Sequence, residues 1–164
     1  MHFPDEATRL RMAMRNVAGT VSVITAGSAA DRSGLTVTSA VSLSIEPPTM
    51  IVTINRGASA WPVIRAHGHF AVNLLASHQQ AIADRFAGRN GEKGAARYAG
   101  ANWTELVTGA PVLADALAVV DCAIEEIIER HSHAIVIGAV KAVQANGGEA
   151  LLYHHGRYGG FNQT

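Results

Sequence analysis

Between residues 21 and 155 the chain is a succession of short β-branched runs, and nowhere between them does the spacing settle into a long helical period. VSVIT, GLTVTSAVSLS, TMIVTIN, HFAVNLL, ALAVVDCAIEEI, AIVIGAVKAV and ALLYHH are punctuated by Gly, Pro or Asn, which predicts six or seven strands. Two short helices interrupt them. One opens at Ser59 with Pro62 in its first turn, and the other runs from Ser77 through Ile82 and Phe86 to Gly88. A further helix precedes the strands, starting at Asp5 and carrying Leu10, Ala13, Met14 and Val17 at helical spacing until Gly19. Parallel strands each need a crossover, usually a helix, and here no regular helices separate the runs. The expected fold class is therefore mainly β: an antiparallel barrel with helices at its ends. No linker or charge run divides the 164 residues, so one domain spanning 1–164 is expected.

Several function classes drop out on charge and motif. Thirteen basic and thirteen acidic side chains cancel, which removes the basic footprint of a nucleic-acid binder and gives no support to a membrane-surface role. Only 16% of residues are charged, against about a quarter in ordinary domains, too few to cover a lone copy. A sizeable subunit interface follows. The N-terminal MHFPDEATRLRM has no apolar signal region and no later run reaches the ~18 apolar residues of a membrane span, so a cytoplasmic protein is expected. Cys122 has no second cysteine to pair with and reads as a packed thiol. There is no GxSxG, HExxH or CxxC, and no GxGxxG after a strand, leaving hydrolytic, metalloprotease and Rossmann chemistry without a motif. GRNGEKGAARYAG is glycine-rich but lacks the Lys-Ser/Thr of a phosphate loop, and reads as a surface loop or lid. The pairs His67/His69 and His131/His133 could each share a strand face, but neither has a carboxylate at ligand-like spacing, so no metal is expected. A better use of His133 is to line a pocket.

The stretch SGLTVTSAVSLSIEPP, residues 33–48, sets one glycine beside six hydroxyl side chains. A buried hydroxyl needs a partner, supplied either by the sheet or by a ligand. Threonine is a good strand former and serine satisfies loop backbone, so the run alone does not decide. Downstream, NRGAS places Arg56 and Ser59 where a strand gives way to a helix, an arrangement that holds phosphate. Asn73 in HFAVNLL either marks a bulge or strand end, or turns its amide to the polar edge of a flat ring. YHHGRYGGF gathers Tyr153, His155, Arg157 and Tyr158, as a plain terminal strand or as a stacking, charge-bearing wall.

In this order, GLTVTSAVSLSIEPP, TINRGASAWPVI, GHFAVNLLA, DRFAG, GAPVL, HAIVIGAV and LLYHHGRY resemble the flavin reductase-like family of split β-barrel flavoproteins. Within it they are most similar to the reductase components of two-component flavin monooxygenases. The resemblance implies a homodimeric, six-stranded antiparallel split β-barrel (Greek key) binding FMN or FAD near the subunit interface, with NADH or NADPH donating a hydride. It places Thr36, Val37, Thr38, Ser39 and Ser42 on the flavin's ribityl, phosphate and ring edge. Asn55, Arg56 and Ser59 fall on its phosphate turn, Asn73, Leu74 and Leu75 on its ring-side strand, and Arg157 and Tyr158 beside the pyridine nucleotide. His133 falls on the nicotinamide side as the catalytic position; the family's Gly-Asp-His there reads His131, Ser132 and His133, so the acid is missing. The implied activity is NAD(P)H:flavin oxidoreduction supplying a partner monooxygenase. A reductase with tightly held FMN acting on a corrinoid or ferric acceptor, a non-enzymatic flavin-binding module, and a histidine-metal enzyme are the alternatives.

Overall fold

The computed structural model describes residues 4–162. Asp5 opens the first helix, α1 (Glu6–Met14), by accepting a 2.7 Å hydrogen bond from the Thr8 amide. Strands β1 (Gly19–Thr20), β2 (Ser22–Ala26), β3 (Ser33–Val37), β4 (Val41–Ile45) and β5 (Pro48–Asn55) follow, then α2 (Trp61–His67), β6 (His69–Leu74) and α3 (Gln80–Phe86). The rest is β7 (Trp103–Glu105), β8 (Pro111–Leu113), the long hairpin of β9 (Ala118–Arg130) and β10 (His133–Ala145), and the short hairpin of β11 (Leu152–His154) and β12 (Arg157–Gly159). Every pairing between these strands is antiparallel. The main sheet has seven strands in the order β3-β2-β6-β9-β10-β5-β4, beside a three-stranded sheet, β1-β11-β12, and the pair β7-β8.

The fold is mainly β and antiparallel, as expected; the runs predict six or seven strands, and the main sheet has the larger number. The hydroxyl-rich run is the reason. It reads as one strand, yet it breaks at residues 38–40 into β3 and β4, which end as the two edges of the sheet. The helix expected at Ser59 begins at Trp61. Asn55 holds the intervening residues in a turn, its carboxamide oxygen accepting from Gly57 N at 2.8 Å and its backbone carbonyl from Ala58 N at 3.0 Å. The helix expected from Ser77 starts as a 3₁₀ turn (Ser77–Gln79), continues as α3, and stops before Gly88, whose φ of 78° suits glycine.

Two clusters of buried side chains hold the sheet. Ile24, Val52, Ile54, Phe70, Val72 and Val136 pack under Trp61 and Ile64 of α2. Val21, Val23, Leu113 and Val119 pack with Phe86 and Tyr98. Each fully buried large apolar side chain contributes roughly 1.5–3 kcal/mol. Gly34 is where α3 meets β3: a Cβ there would stand 2.6 Å from the Ile24 carbonyl oxygen and 2.8 Å from the Phe86 ring, so only glycine lets the ring seat. Two apolar surfaces have no cover within one copy. α1 buries none of its side chains, with Leu10 63% and Met12 59% exposed, and β4 presents Val41, Leu43 and Ile45. Among the described residues no helix is long and apolar enough to cross a membrane.

Candidate functional site

The sheet and α3 satisfy part of the hydroxyl run. Thr36 Oγ1 donates to the Ala83 carbonyl at 2.6 Å, and Ser39 Oγ donates to the Thr53 carbonyl at 2.9 Å. Thr38, between them, is exposed and makes no hydrogen bond to any described residue through its side chain. It stands where Gly19 leaves room, since a Cβ at Gly19 would lie 2.8 Å from the Thr38 Cβ. Thr36, Val37 and Thr38 line a cleft of about 220 Å³ whose other walls are Arg89, Tyr153 and Tyr158. Arg89 forms an ion pair with Asp84 at 2.8 Å and lies 5.3 Å from the centroid of the Tyr158 ring. Burial lifts the Tyr158 phenol above its usual range, while the Arg89 guanidinium pulls it back. The topology thus joins residues 36–38, 89 and 158, far apart in sequence, around one free hydroxyl and one guanidinium.

Two more clefts adjoin it. One, of about 490 Å³, shares Thr38 and Tyr153 with the first and adds Ser39, Arg11, Arg15 and His155. The other, of about 540 Å³, shares Tyr158 and is lined by Arg15, His154, His155 and Arg157. The expected residues Thr36, Val37, Thr38, Ser39, Arg157 and Tyr158 are therefore brought together. Arg89 was not among them. Its motif carried no phosphate-loop signature, and only the end of α3 at Gly88 delivers it to the cleft.

The remaining expected residues fall elsewhere than these clefts. Arg56 is engaged at the tip of the β9–β10 hairpin: its guanidinium contacts Glu129 at 2.7 Å and the His131 carbonyl at 3.0 Å, while its amide donates to the Ser132 carbonyl at 2.9 Å. Arg56 thus clamps the hairpin tip and lines none of the three clefts. Ser59 is exposed and does not cap α2, whose N-cap is Ala60 without a side-chain bond. Asn73 is fully enclosed; its amide donates to the Val23 carbonyl and to Thr25 Oγ1, each at 3.0 Å, and its oxygen accepts from Leu113 N at 2.8 Å. Its amide and its oxygen are thus both bonded within the core. Leu75 is likewise fully buried, and Leu74 is half-buried against the core of Trp61 and Phe70. Ser42 lies exposed on the edge strand β4, opposite Met50 of β5.

His133 opens β10 directly across from Asn55, and its Nδ1 lies 2.8 Å from the hydroxyl of Ser132. His131 does not share its strand face, because it sits in the hairpin turn at φ 51°. Neither His133 nor Asn55 lines the three clefts. They are near them, however: Ser39 bonds Thr53, two residues or roughly 7 Å along β5 from Asn55.

Known proteins share this chain's sequence and shape. The model of the flavin reductase like domain matches residues 14–162. An FMN reductase (NADH) RutF of Agrobacterium fabrum is 40% identical over 149 residues, covering 90% of this chain and 84% of the relative. A protein of the same description from Stutzerimonas stutzeri is 36% identical over 155 residues, covering 94% and 88%. Among solved structures, a Streptomyces globisporus NADH:FAD oxidoreductase superimposes with a TM-score of 0.88 at 27% identity, covering 99% of this chain and 98% of that one. The flavin reductase component of a bacterial two-component tryptophan halogenase does so with a TM-score of 0.86 at 27% identity, covering 97% and 100%. With the domain match running through both edge strands of the sheet and the C-terminal hairpin, this chain belongs to the flavin reductase like domain family.

Proposed function

We propose that this protein is an NADH-dependent flavin reductase that hands reduced flavin to a separate oxygenase. The observation that carries the reading is the cleft in which the unpartnered Thr38 hydroxyl and the Arg89 guanidinium face the same space, beside Val37, Tyr153 and Tyr158. The set suits one part of a flavin mononucleotide, a cation and a hydroxyl for its phosphate beside aromatic surface. The rest of the molecule would extend into the adjoining cleft of about 490 Å³ that shares Thr38 and Tyr153. The names of the relatives and neighbours, NADH-dependent FMN reductases and an NADH:FAD oxidoreductase, support the same assignment.

A flavin held here would supply the redox chemistry, as acceptor of the nicotinamide's hydride. The chain has correspondingly little to do beyond binding, orienting and excluding water. Arg89 and Thr38 fix the charged end, and the carbonyl-bound Thr36 and Ser39 keep the intervening backbone in place. His133 acts on the pyridine nucleotide side; with Nδ1 turned to Ser132, it presents Nε2 outward as its polar contact. Asn55, across the ladder, and Ser42, on β4, complete the rim.

The site forms in a homodimer. β4, next to the hydroxyl loop, exposes Val41 at 54%, Leu43 at 54% and Ile45 at 75%, and a second copy is the partner that a closed pair would set against them. Fluorescence titration tests the cofactor site: FMN emission should be quenched on binding, and Thr38→Val or Arg89→Ala should each weaken affinity roughly tenfold, the loss of about 1.4 kcal/mol. Absence of binding by the unaltered protein would end the proposal. Leu43→Asp should elute as a monomer in gel filtration; an unchanged elution volume would count against the β4 interface.

A further inference from the structure

We propose that Asp84, which stands behind the cleft of Thr38 and Arg89 rather than in it, sets how tightly a flavin is held: by neutralising Arg89 it keeps the flavin exchangeable. The inference rests on the flavin reductase reading and deepens it, since a protein that hands reduced flavin to a separate oxygenase has to release it.

The end of α3 fixes where Arg89 stands, and it does so without the Asp84 carboxylate. The Gly88 amide donates to the Arg85 carbonyl and the Arg89 amide to the Asp84 carbonyl, each at 3.1 Å, around Gly88 at φ 78°. Arg97 braces the same turn: its Nη1 donates to the carbonyls of Phe86 and Gly34 at 3.1 and 2.8 Å, and its Nε to that of Glu92 at 2.9 Å. Thr36 ties the Ala83 carbonyl of α3 to β3. All of these bonds end on main-chain carbonyls, and none uses the Asp84 side chain. Asp84 also lies in the last turn of α3, where the partial negative charge of a helix C-terminus favours cations. Helix stability therefore does not account for an acid at this position.

What the carboxylate faces is Arg89. The two groups are 2.8 Å apart, and the Asp84 side chain is only 24% exposed. Asp84 Oδ1 is buried and accepts no well-aligned hydrogen bond from the described residues, so Arg89 acts on it as a counter-ion. Arg89 is also the one charged side chain among those lining the cleft of about 220 Å³. A phosphate monoester, with about −1.5 to −2 charges at pH 7, thus meets a guanidinium already opposed by an acid that water screens poorly. The same carboxylate reaches the aromatic wall. Burial raises the Tyr158 phenol, Arg89 lowers it, and Asp84 and Tyr153 raise it further. One acid therefore works against negative charge at two walls of the cleft.

Fluorescence titration and stopped-flow release of FMN test this. Asp84→Asn keeps the size of the side chain and the main-chain clasp and removes only the charge. It should bind FMN about threefold to tenfold more tightly, release it correspondingly more slowly, and lose that advantage as salt rises. Asp84→Ala removes the same charge and suits a helix interior, so it should shift affinity in the same direction if Asp84→Asn folds poorly. Ultraviolet titration of tyrosine should show one phenol ionising at lower pH in Asp84→Asn, a step that Tyr158→Phe abolishes. A carboxylate that only structured the turn would, when replaced, weaken stability and FMN affinity together. Unchanged or weaker FMN affinity in both variants, with the unaltered protein still binding, would overturn the role of Asp84 and leave the flavin reading intact. Absence of FMN binding by all three proteins would remove both.

Discussion

Replacing Asn73 with leucine asks whether this residue belongs to the core or to the ligand. Its side chain is fully enclosed and makes three hydrogen bonds, to the Val23 carbonyl, Thr25 Oγ1 and Leu113 N. Leucine has similar bulk and none of these groups. The Leu113 amide would lose its side-chain acceptor in a dry interior, at about 1–3 kcal/mol, and the two lost donations would add about 0.5–1.5 kcal/mol each. Burying a better hydrophobe returns part of this, so a net loss of about 2–4 kcal/mol is expected. Urea melts at fixed protein concentration should show it as a lower midpoint at unchanged slope. In heat the midpoint should fall by roughly 4–16 °C, at about 2–4 °C per kcal/mol for a chain of this size. FMN affinity of the folded fraction should stay within about twofold, the spread of a few tenths of a kcal/mol. A stability loss under about 1 kcal/mol together with a large loss of flavin affinity would refute the core assignment.

Three further outcomes follow from the same geometry. Glu129→Gln should cost only about 0.5–1 kcal/mol in urea melts, because the pair with Arg56 is partly exposed, and should leave FMN affinity unchanged; a marked gain in affinity would mean that Arg56 serves the ligand once freed. Burial, the largest effect on His69, holds its imidazole below the ordinary 6.5, so the unfolded chain takes up the proton first, and stability is full above pH 6.5 and lost as the pH falls below it. His69→Gln should flatten that acid slope, and an unchanged slope in pH-dependent melts would contradict the assignment. Burial and the Asp121 carboxylate push the Cys122 thiol up to about 12, so a disulfide reagent at about pH 8 should label it only after unfolding, whereas rapid stoichiometric labelling of folded protein would refute an inert thiol.

The strands were legible because β-branched runs bounded by Gly, Pro and Asn are a local property, and β2, β5, β6, β9 and β10 lie where those runs do. The break at residues 38–40 was not, since hydroxyl side chains suit a strand and a loop equally and the choice depends on what bonds them. Ser39 is drawn to the Thr53 carbonyl and Thr36 to Ala83, contacts that no local pattern encodes. The same limit governs the site. Asn73 has the right chemistry for a ring edge, but period alone does not tell an inward polar group from one aimed at a ligand. Arg56 carries a phosphate-binding sequence context, yet a carboxylate 73 positions later, Glu129, claims it. Conversely, Arg15 meets His155 across 140 residues and Arg89 meets Tyr158 only through α3, so the cations that shape the clefts emerged from the topology. The hydroxyl strand and the terminal GRY that the resemblance singles out do form walls of the clefts.

The central claim is that the space between residues 36–38, Arg89 and Tyr158 holds a flavin in position to be reduced by a pyridine nucleotide. Mixing the protein anaerobically with FMN and NADH and following the visible absorbance of oxidised flavin tests it directly. The account predicts rapid bleaching by the unaltered protein, strongly slowed by Arg89→Ala at subsaturating FMN and restored when FMN is raised. Bleaching no faster than in buffer alone, or equally fast with Arg89→Ala at low FMN, would contradict it.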